Sequence, residues 1–477
     1  MILEASPEVV LLLLPLALIM ILSKLMSLGA KKIGFPQVIG LLVTGLILGG
    51  VALIPTVGDY IYGKSETVNG IAFIAEIGVI IIMFSAGLET NVGAIKKTGI
   101  SALVITLLGV VVPMLFGFLV SLILKPETKD ILDNAGNIIG SETDWTKTIF
   151  RDLFYGVILT ATSVSVTIAA LKELGKLNSK IGTAIVSAAI LDDIIGVIIL
   201  SIVLSLYGSV GGQSNESASD FVTWIFDKIF GDYGTALSIS IVIIKTVLFF
   251  VFAIIVGLFI RKLFKKLTNR YDHHRRLVIF SLAVGFIYAF IAEKGFGIAD
   301  ITGAFFAGLI LSNLKDAEYV EKKTDVTSWM LFTPVFFAKV GLSSIQKLTE
   351  SSGMDFRFVI FGLLFVIAGI LGKILGCGFG AKVTGFKMSD SFRCGIGMMC
   401  RAEVCLICAE KGIAANLINP NIQLFLLILI LVTSLSTPIL LKNSFRKEIE
   451  NDDSYDYDGL VDPNLNIENN QGPSLDQ

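Results

Sequence analysis

The sequence predicts an all-α, polytopic membrane protein of about thirteen transmembrane helices. Three observations carry that reading. Hydrophobic residues make up 54% of the 477 and charged residues only 16%, with mean hydropathy +0.80, whereas soluble chains carry about a quarter charged residues. Apolar runs of about 20 residues, the length that crosses a bilayer, recur along the chain. The loops between those runs alternate in charge, as cytoplasmic and external loops do.

Taken in order, Met1 to Val9 hold two glutamates and no lysine. That is not the charged start of a cleaved signal, so Val10 to Leu28 is read as a retained span. Further spans are expected at 36–54, 70–88, 99–124, 149–171, 181–207, 235–260, 277–293, 297–313, 327–346, 357–382, 393–411 and 421–441. One set of loops is basic: Lys31 and Lys32, Lys96 and Lys97, Lys172 to Lys180, Arg261 to Arg276, Lys315 to Lys323, Lys382 to Arg393, and Lys442 to Lys447. The others hold Asp59 and Glu66, the acidic stretch Pro126 to Asp144, and Glu216 to Asp232. Because basic loops stay in the cytoplasm, the N-terminus is expected outside and the C-terminus inside, and an even number of spans would break the alternation.

An internal repeat is also visible. Gly34-Phe35-Pro36, Gly40 and Thr44-Gly45-Leu46-Ile47-Leu48 recur at one spacing as Gly297-Ile298, Gly303 and Ala307-Gly308-Leu309-Ile310-Leu311. Phe84-Ser85-Ala86-Gly87-Leu88 likewise returns as Phe336-Phe337-Ala338-Lys339-Val340-Gly341-Leu342. By the loop charges the copies start on opposite sides. The expected organisation is a transmembrane domain over 1–441, with a first repeat at about 10–207, a linker helix at 235–260 and a second repeat at 277–441. An acidic, disordered cytoplasmic tail over 442–477 completes it. Inverted repeats are an architecture of alternating-access transporters, with the substrate site near the midplane.

Asp192 and Asp193 sit centrally in the otherwise apolar run Ile181 to Leu206. Carboxylates there cost a few kcal/mol each even on lenient scales, and no packing need explains two in a row. They are read as an ion or proton site, with both as ligands of a transported cation. Two interrupted helices are expected beside them. One holds five hydroxyls, Thr160, Thr162, Ser163, Ser165 and Thr167, which can line a cavity and replace lost backbone partners, or join helices. The other holds Gly395, Gly397 and Cys400-Arg401-Ala402-Glu403, where an internal ion pair and an ion-path role for Arg401 and Glu403 both stay open. Two buried carboxylates need a cation opposite. Lys373, in mid-span, is the best partner and Lys339 the runner-up. Glu76 and Asp300 lie nearer span ends.

Other classes fit poorly. The five cysteines lie in apolar segments at spacings that suit packing, and the two histidines, His273 and His274, fall in a basic loop. The net charge of −2 comes with no basic domain for nucleic acid. No cofactor is expected. An intramembrane aspartyl protease needs its aspartates on separate helices, so no enzyme activity is expected. A channel would need rings of carbonyls or carboxylates, and a sodium-coupled solute symporter is the closer rival. No Gly-x-Gly-x-x-Gly turn follows the last span, so no nucleotide-binding domain is expected on this chain.

These residues together resemble the monovalent cation:proton antiporter-2 family, sodium or potassium/proton antiporters of NapA and Kef type, from about residue 10 to 441. The motifs are Ala75-Glu76-Ile77-Gly78 leading to Phe84–Glu89, Thr160-Ala161-Thr162-Ser163-Val164, Asp192-Asp193, Gly303–Gly308, the Lys373 span and Arg401-Ala402-Glu403-Val404. The resemblance implies a sodium/proton antiporter fold of two six-helix inverted repeats with two crossed, discontinuous helices. It also implies panel and core domains, a homodimer in the plasma membrane, and elevator-type alternating access. Asp193 would be the main cation ligand and proton carrier, with Thr162 and Ser163 nearby and Asp192 tied to Lys373. Arg401, Glu403, Glu76 and Lys339 would support the site. The double aspartate implies electrogenic exchange of a monovalent cation, sodium foremost and potassium as the alternative. Ser165 and Lys339 depart from the pattern, and Lys339 adds a charge near the pathway.

Overall fold

The computed structural model describes residues 7–33, 37–52, 54, 65–90, 92–124, 130–132, 138–141, 145–177, 179–210, 221–222, 235–270, 274–314, 316–350 and 356–458. Helices α1 (Pro7–Lys32), α2 (Gln37–Ala52), α3 (Ser65–Glu89) and α4 (Val92–Leu124) open the chain. A short antiparallel hairpin of β1 (Asp130–Leu132) and β2 (Ile138–Ser141) follows, in a stretch expected to be loop. Then come α5 (Trp145–Ile158), α6 (Val164–Glu173), α7 (Lys180–Val210), α8 (Thr235–Arg270) and α9 (His274–Phe290). The chain closes with α10 (Asp300–Leu311), α11 (Ala317–Thr327), α12 (Thr333–Glu350), α13 (Phe356–Val383), α14 (Met388–Met398), α15 (Glu403–Ala414) and α16 (Ile422–Asp458).

Among the described residues, nine helical stretches are long and apolar enough to cross a membrane, and Ile39–Ala52 and Asp300–Leu311 are shorter apolar helices. The remaining two expected spans are the interrupted pairs α5/α6 and α14/α15. Each expected segment therefore lies on helix. The boundaries moved at several helices: α8, expected to end at 260, runs on to Arg270, and α4, expected from 99, begins at Val92 and kinks at Gly99. The segment expected from 327 begins at Ala317, because α11 runs through a π turn, Ser328–Phe332, straight into α12. The last helix was expected to end at 441 and continues to Asp458. Lys442 to Asp458 contains neither glycine nor proline to stop it, and Gly459 comes next. The rest of the expected tail lies outside the described residues.

The helices stand in two groups. In the first, α3 packs on α10 and α12, α12 packs on α2, and α1, α9 and α11 complete the set. In the second, α4 packs along α13 and against α5 and α7, with α6, α14, α15 and α16 around them. Helix α8 touches both groups through α7 and α10, and the groups also meet directly where α10 faces α7 and α12 faces α16.

Small residues set these contacts, as expected where lipid offers no hydrophobic drive between helices. Gly372, Gly376 and Gly380 repeat every four residues on α13 and lie against Pro113, Leu108 and Ile105 of α4. That approach brings α4 and α13 close enough to bury Lys373 completely between them and their neighbours. In the first group, Gly45 meets the backbone of Phe337 and Gly341, while Gly308 meets that of Phe84 and Gly87. The Gly-Leu-Ile-Leu motif of each sequence copy thus packs on the Phe-rich motif of the other.

Candidate functional site

Both interrupted helices break at the same place. Helix α5 ends at Ile158, residues 161–163 have no regular structure, and α6 begins at Val164. Helix α14 ends at Met398, residues 399–402 are irregular, with Ala402 at φ −151 and ψ −144, and α15 begins at Glu403. The breaks are tied directly. The N–H of Ser163 donates to the carbonyl of Cys400 at 2.8 Å, and Thr167 Oγ1 donates to the carbonyl of Gly397 at 2.6 Å. Two helix N-termini and two C-termini meet at this crossing, so positive and negative dipole ends face one point inside the membrane.

The break frees carbonyls that a continuous helix would have used, and Arg401 collects them. Its guanidinium, fully buried, donates through Nη1 to the carbonyl of Ala161 and to Thr162 Oγ1, the latter at 3.3 Å. Through Nη2 it donates to the carbonyls of Leu159 at 2.5 Å and Gly369 at 3.2 Å. The backbone on either side is held as well: Arg401 N–H donates to Thr433 Oγ1, and Ser434 Oγ donates to the Arg401 carbonyl, both at 3.1 Å. The planar fork suits several oxygens at once. The ion pair left open between Arg401 and Glu403 does not form. Five donors beside orphaned carbonyls find more partners there than in one carboxylate.

The aspartates lie in the middle of α7, beside the crossing. Asp192 is closed on both oxygens: Lys373 Nζ donates to Oδ1 at 2.6 Å, and Thr162 Oγ1 donates to Oδ2 at 2.6 Å. Asp192 and Lys373 side chains have no exposed surface. Asp193 differs, for its buried Oδ1 has no hydrogen-bond partner. Glu403, at the first position of α15, also has a buried, unpartnered oxygen, Oε2. Its place at a helix N-terminus favours negative charge. In this arrangement Asp193 is the carboxylate open to a new ligand, while Asp192 accepts one only by releasing Lys373 or Thr162. Hard oxygen donors of this kind suit a monovalent cation or a proton. Among the described residues no group of three His, Cys, Asp or Glu side chains is arranged to hold a resident metal ion.

The structure brings Asp192, Asp193, Thr162, Ser163, Lys373, Arg401 and Glu403 to this crossing. It separates the others. Lys339, the runner-up partner for the aspartates, instead pairs with Glu410 Oε2 at 2.5 Å, and Gln423 donates to Oε1 of the same glutamate. Asp300 pairs with Lys411 at 2.5 Å. Glu76 is exposed on α3 and makes no hydrogen bond or ion pair with the aspartates. Ser165 lies in α6, and its side chain is outside the described residues. The sequence reading missed Glu410 and Lys411, because charges near a span's end carry no anomaly of their own. All five cysteines are buried free thiols.

A family model described as sodium/hydrogen exchanger, transmembrane, matches residues 16–445. The Na(+)/H(+)-K(+) antiporter GerN of Bacillus cereus is 30% identical over 430 residues, covering 90% of this chain and 95% of that protein. A Na(+)/H(+) antiporter of Enterococcus hirae is 29% identical, covering 91% and 98% respectively. Among solved structures, the sodium proton antiporter MjNhaP1 of Methanocaldococcus jannaschii superposes with a TM-score of 0.63 at 17% identity, covering 92% of this chain and 97% of that one.

Proposed function

The chain belongs to the transmembrane sodium/hydrogen exchanger family, and from that premise we propose that it exchanges sodium for protons at the helix crossing, with Asp193 as the carrier of both. It is a multi-pass membrane transporter and not an enzyme. The observation that carries the residue assignment is the unpartnered oxygen of Asp193, buried one residue from a fully satisfied Asp192. An anionic oxygen with no partner inside a membrane helix is costly. A bound cation or a bound proton removes that cost, and only one of them fits at a time. The carrier therefore crosses loaded with either, and exchange follows.

Asp192 joins the cation when its tie to Lys373 opens, with Thr162 and Ser163 supplying hydroxyl or backbone oxygens. Lys373 then stands without its counter-charge and gives up its proton. Arg401 positions the crossing by holding the freed carbonyls, and Glu403 supports it from the first position of α15. The reciprocal packing of the two motif copies around Gly45 and Gly308 supports an inverted repeat, with the first helix group as panel and the second as core. An elevator-like movement of the core against the panel, in a homodimer of the plasma membrane with its N-terminus outside, completes the reading. Potassium is the second cation to try, since the name of the Bacillus cereus relative includes it.

The test is flux in proteoliposomes. Vesicles carrying the unaltered chain should accumulate sodium against an imposed pH gradient, and those carrying Asp193→Asn should not. Full sodium flux in the Asn variant would refute the assignment.

A further inference from the structure

Two neighbouring residues of opposite charge on α15, Glu410 and Lys411, reach two different helices of the other group. Lys339 on α12 meets Glu410, and Lys411 meets Asp300 at the start of α10, both pairs at 2.5 Å. Each carboxylate is held in place. Gln423 donates to the second oxygen of Glu410, and the N–H of Ile301 donates to Asp300 Oδ1 at 2.8 Å. The four charged side chains are 14–28% exposed, neither sealed in a core nor freely solvated. Two residues beyond Asp300, Thr302 is hydrogen-bonded to Ser201 of α7. Ser201 is about two turns past Asp193 on α7, and Glu410 is about two turns past the break on α15. The ion pairs and the hydroxyl bridge therefore close the boundary between the groups on one side of the aspartates.

The placement of these charges is informative. Helix α15 packs on α5 and α16 of its own group, while α10 and α12 pack mainly on α3 and α2 of theirs. The pairs thus join helices that share little apolar packing. A partly exposed ion pair re-solvates at small cost when water enters, whereas an apolar seam of equal extent does not. Opposite polarities on adjacent residues also fix the register: a slide of α15 by one turn would separate both pairs together. We propose that Glu410 and Lys411 form a two-pronged latch that holds the groups together on this side, and that its release opens that side of the site. The inference rests on the exchange reading above for its purpose, but its geometry can be tested without transport.

Ser201 has no exposed surface behind the latch, so a cysteine placed there reports opening. In full-length Ser201→Cys protein in vesicles, a water-soluble maleimide should label that residue slowly, against a background of buried native cysteines. Adding Lys339→Glu should raise the labelling rate by about fivefold, the scale of a modest coupling between two states. Adding Glu410→Lys to that variant should restore the pair with its charges exchanged and return the rate to within about twofold of the start. An unchanged rate with Lys339→Glu, or a rate that Glu410→Lys fails to restore, overturns the latch. Sodium flux measured in the same vesicles reports separately on the exchange reading: flux absent from otherwise native vesicles counts against that reading and leaves the labelling result to decide the latch.

Discussion

With Lys373 changed to Met, Asp192 keeps the hydrogen bond from Thr162 and loses the ammonium bound to its other oxygen. Removing one partner of a buried ion pair costs about 3–5 kcal/mol, because the remaining charge is stranded, while removing both can be nearly neutral. Lys373→Met should therefore lower the thermal midpoint in detergent strongly, and Asp192→Asn with Lys373→Met should recover most of that loss. Additive losses would mean that the pair does not interact as described. Asp193→Asn should behave differently. Its Oδ1 has no partner to lose, so the midpoint should stay or rise while exchange disappears. A large fall in stability would make Asp193 a structural residue. The aspartates and Lys373 were legible in the sequence because a charge in the middle of an apolar run has no cheap explanation. Their division of labour came only from the family resemblance and not from the residues' own pattern, since it depends on which of two neighbouring side chains faces Thr162 across the crossing.

At the scale of the helices, the breaks at 159–163 and 399–402 were legible from hydroxyls and glycines, but the role of Arg401 was not. Sequence shows an arginine two residues from a glutamate. It does not show that the carbonyls of Leu159, Ala161 and Gly369 converge on it. Lysine has a single nitrogen and cannot reach this set at once. Arg401→Lys should leave buried carbonyls unpaired, each at about 1–3 kcal/mol, and should both destabilise the protein and stop exchange. A fully active, stable Lys variant would show that the clamp is dispensable. The close helix contacts were not read from the glycines, because their spacing alone does not tell a packed glycine from an exposed one, and here the structure separates look-alikes. A methyl group on Gly341 would collide with the backbone of Gly45, whereas one on Gly50 would meet nothing within 4 Å. Gly341→Ala should cost about 1–3 kcal/mol by overpacking, and Gly50→Ala should gain up to about 1 kcal/mol in helix propensity. Thermal unfolding of the two variants side by side decides it; equal shifts would contradict the packing.

Over the whole molecule, the apolar helical segments were legible from hydropathy, while a division into two helix groups came only from the family resemblance, because it depends on which helices pack together. That division matters for the charge moved per cycle. With sodium on Asp192 and Asp193 and Lys373 neutral, the site carries one negative charge. With a proton on Asp193 and Lys373 again holding Asp192, it carries none. One sodium then exchanges for two protons, and a voltage of 100 mV acts on the moved charge with about 2.3 kcal/mol. Sodium uptake in vesicles at fixed pH gradient should therefore change when a potassium-diffusion potential is imposed. The Asp192→Asn, Lys373→Met variant keeps one carboxylate and no switching lysine, so sodium-loaded and proton-loaded sites bear the same charge. Any exchange it retains should be one for one and indifferent to voltage. If that variant still responds to voltage as the unaltered chain does, the second proton is carried elsewhere, and the Lys373–Asp192 pair is a brace rather than a moving part.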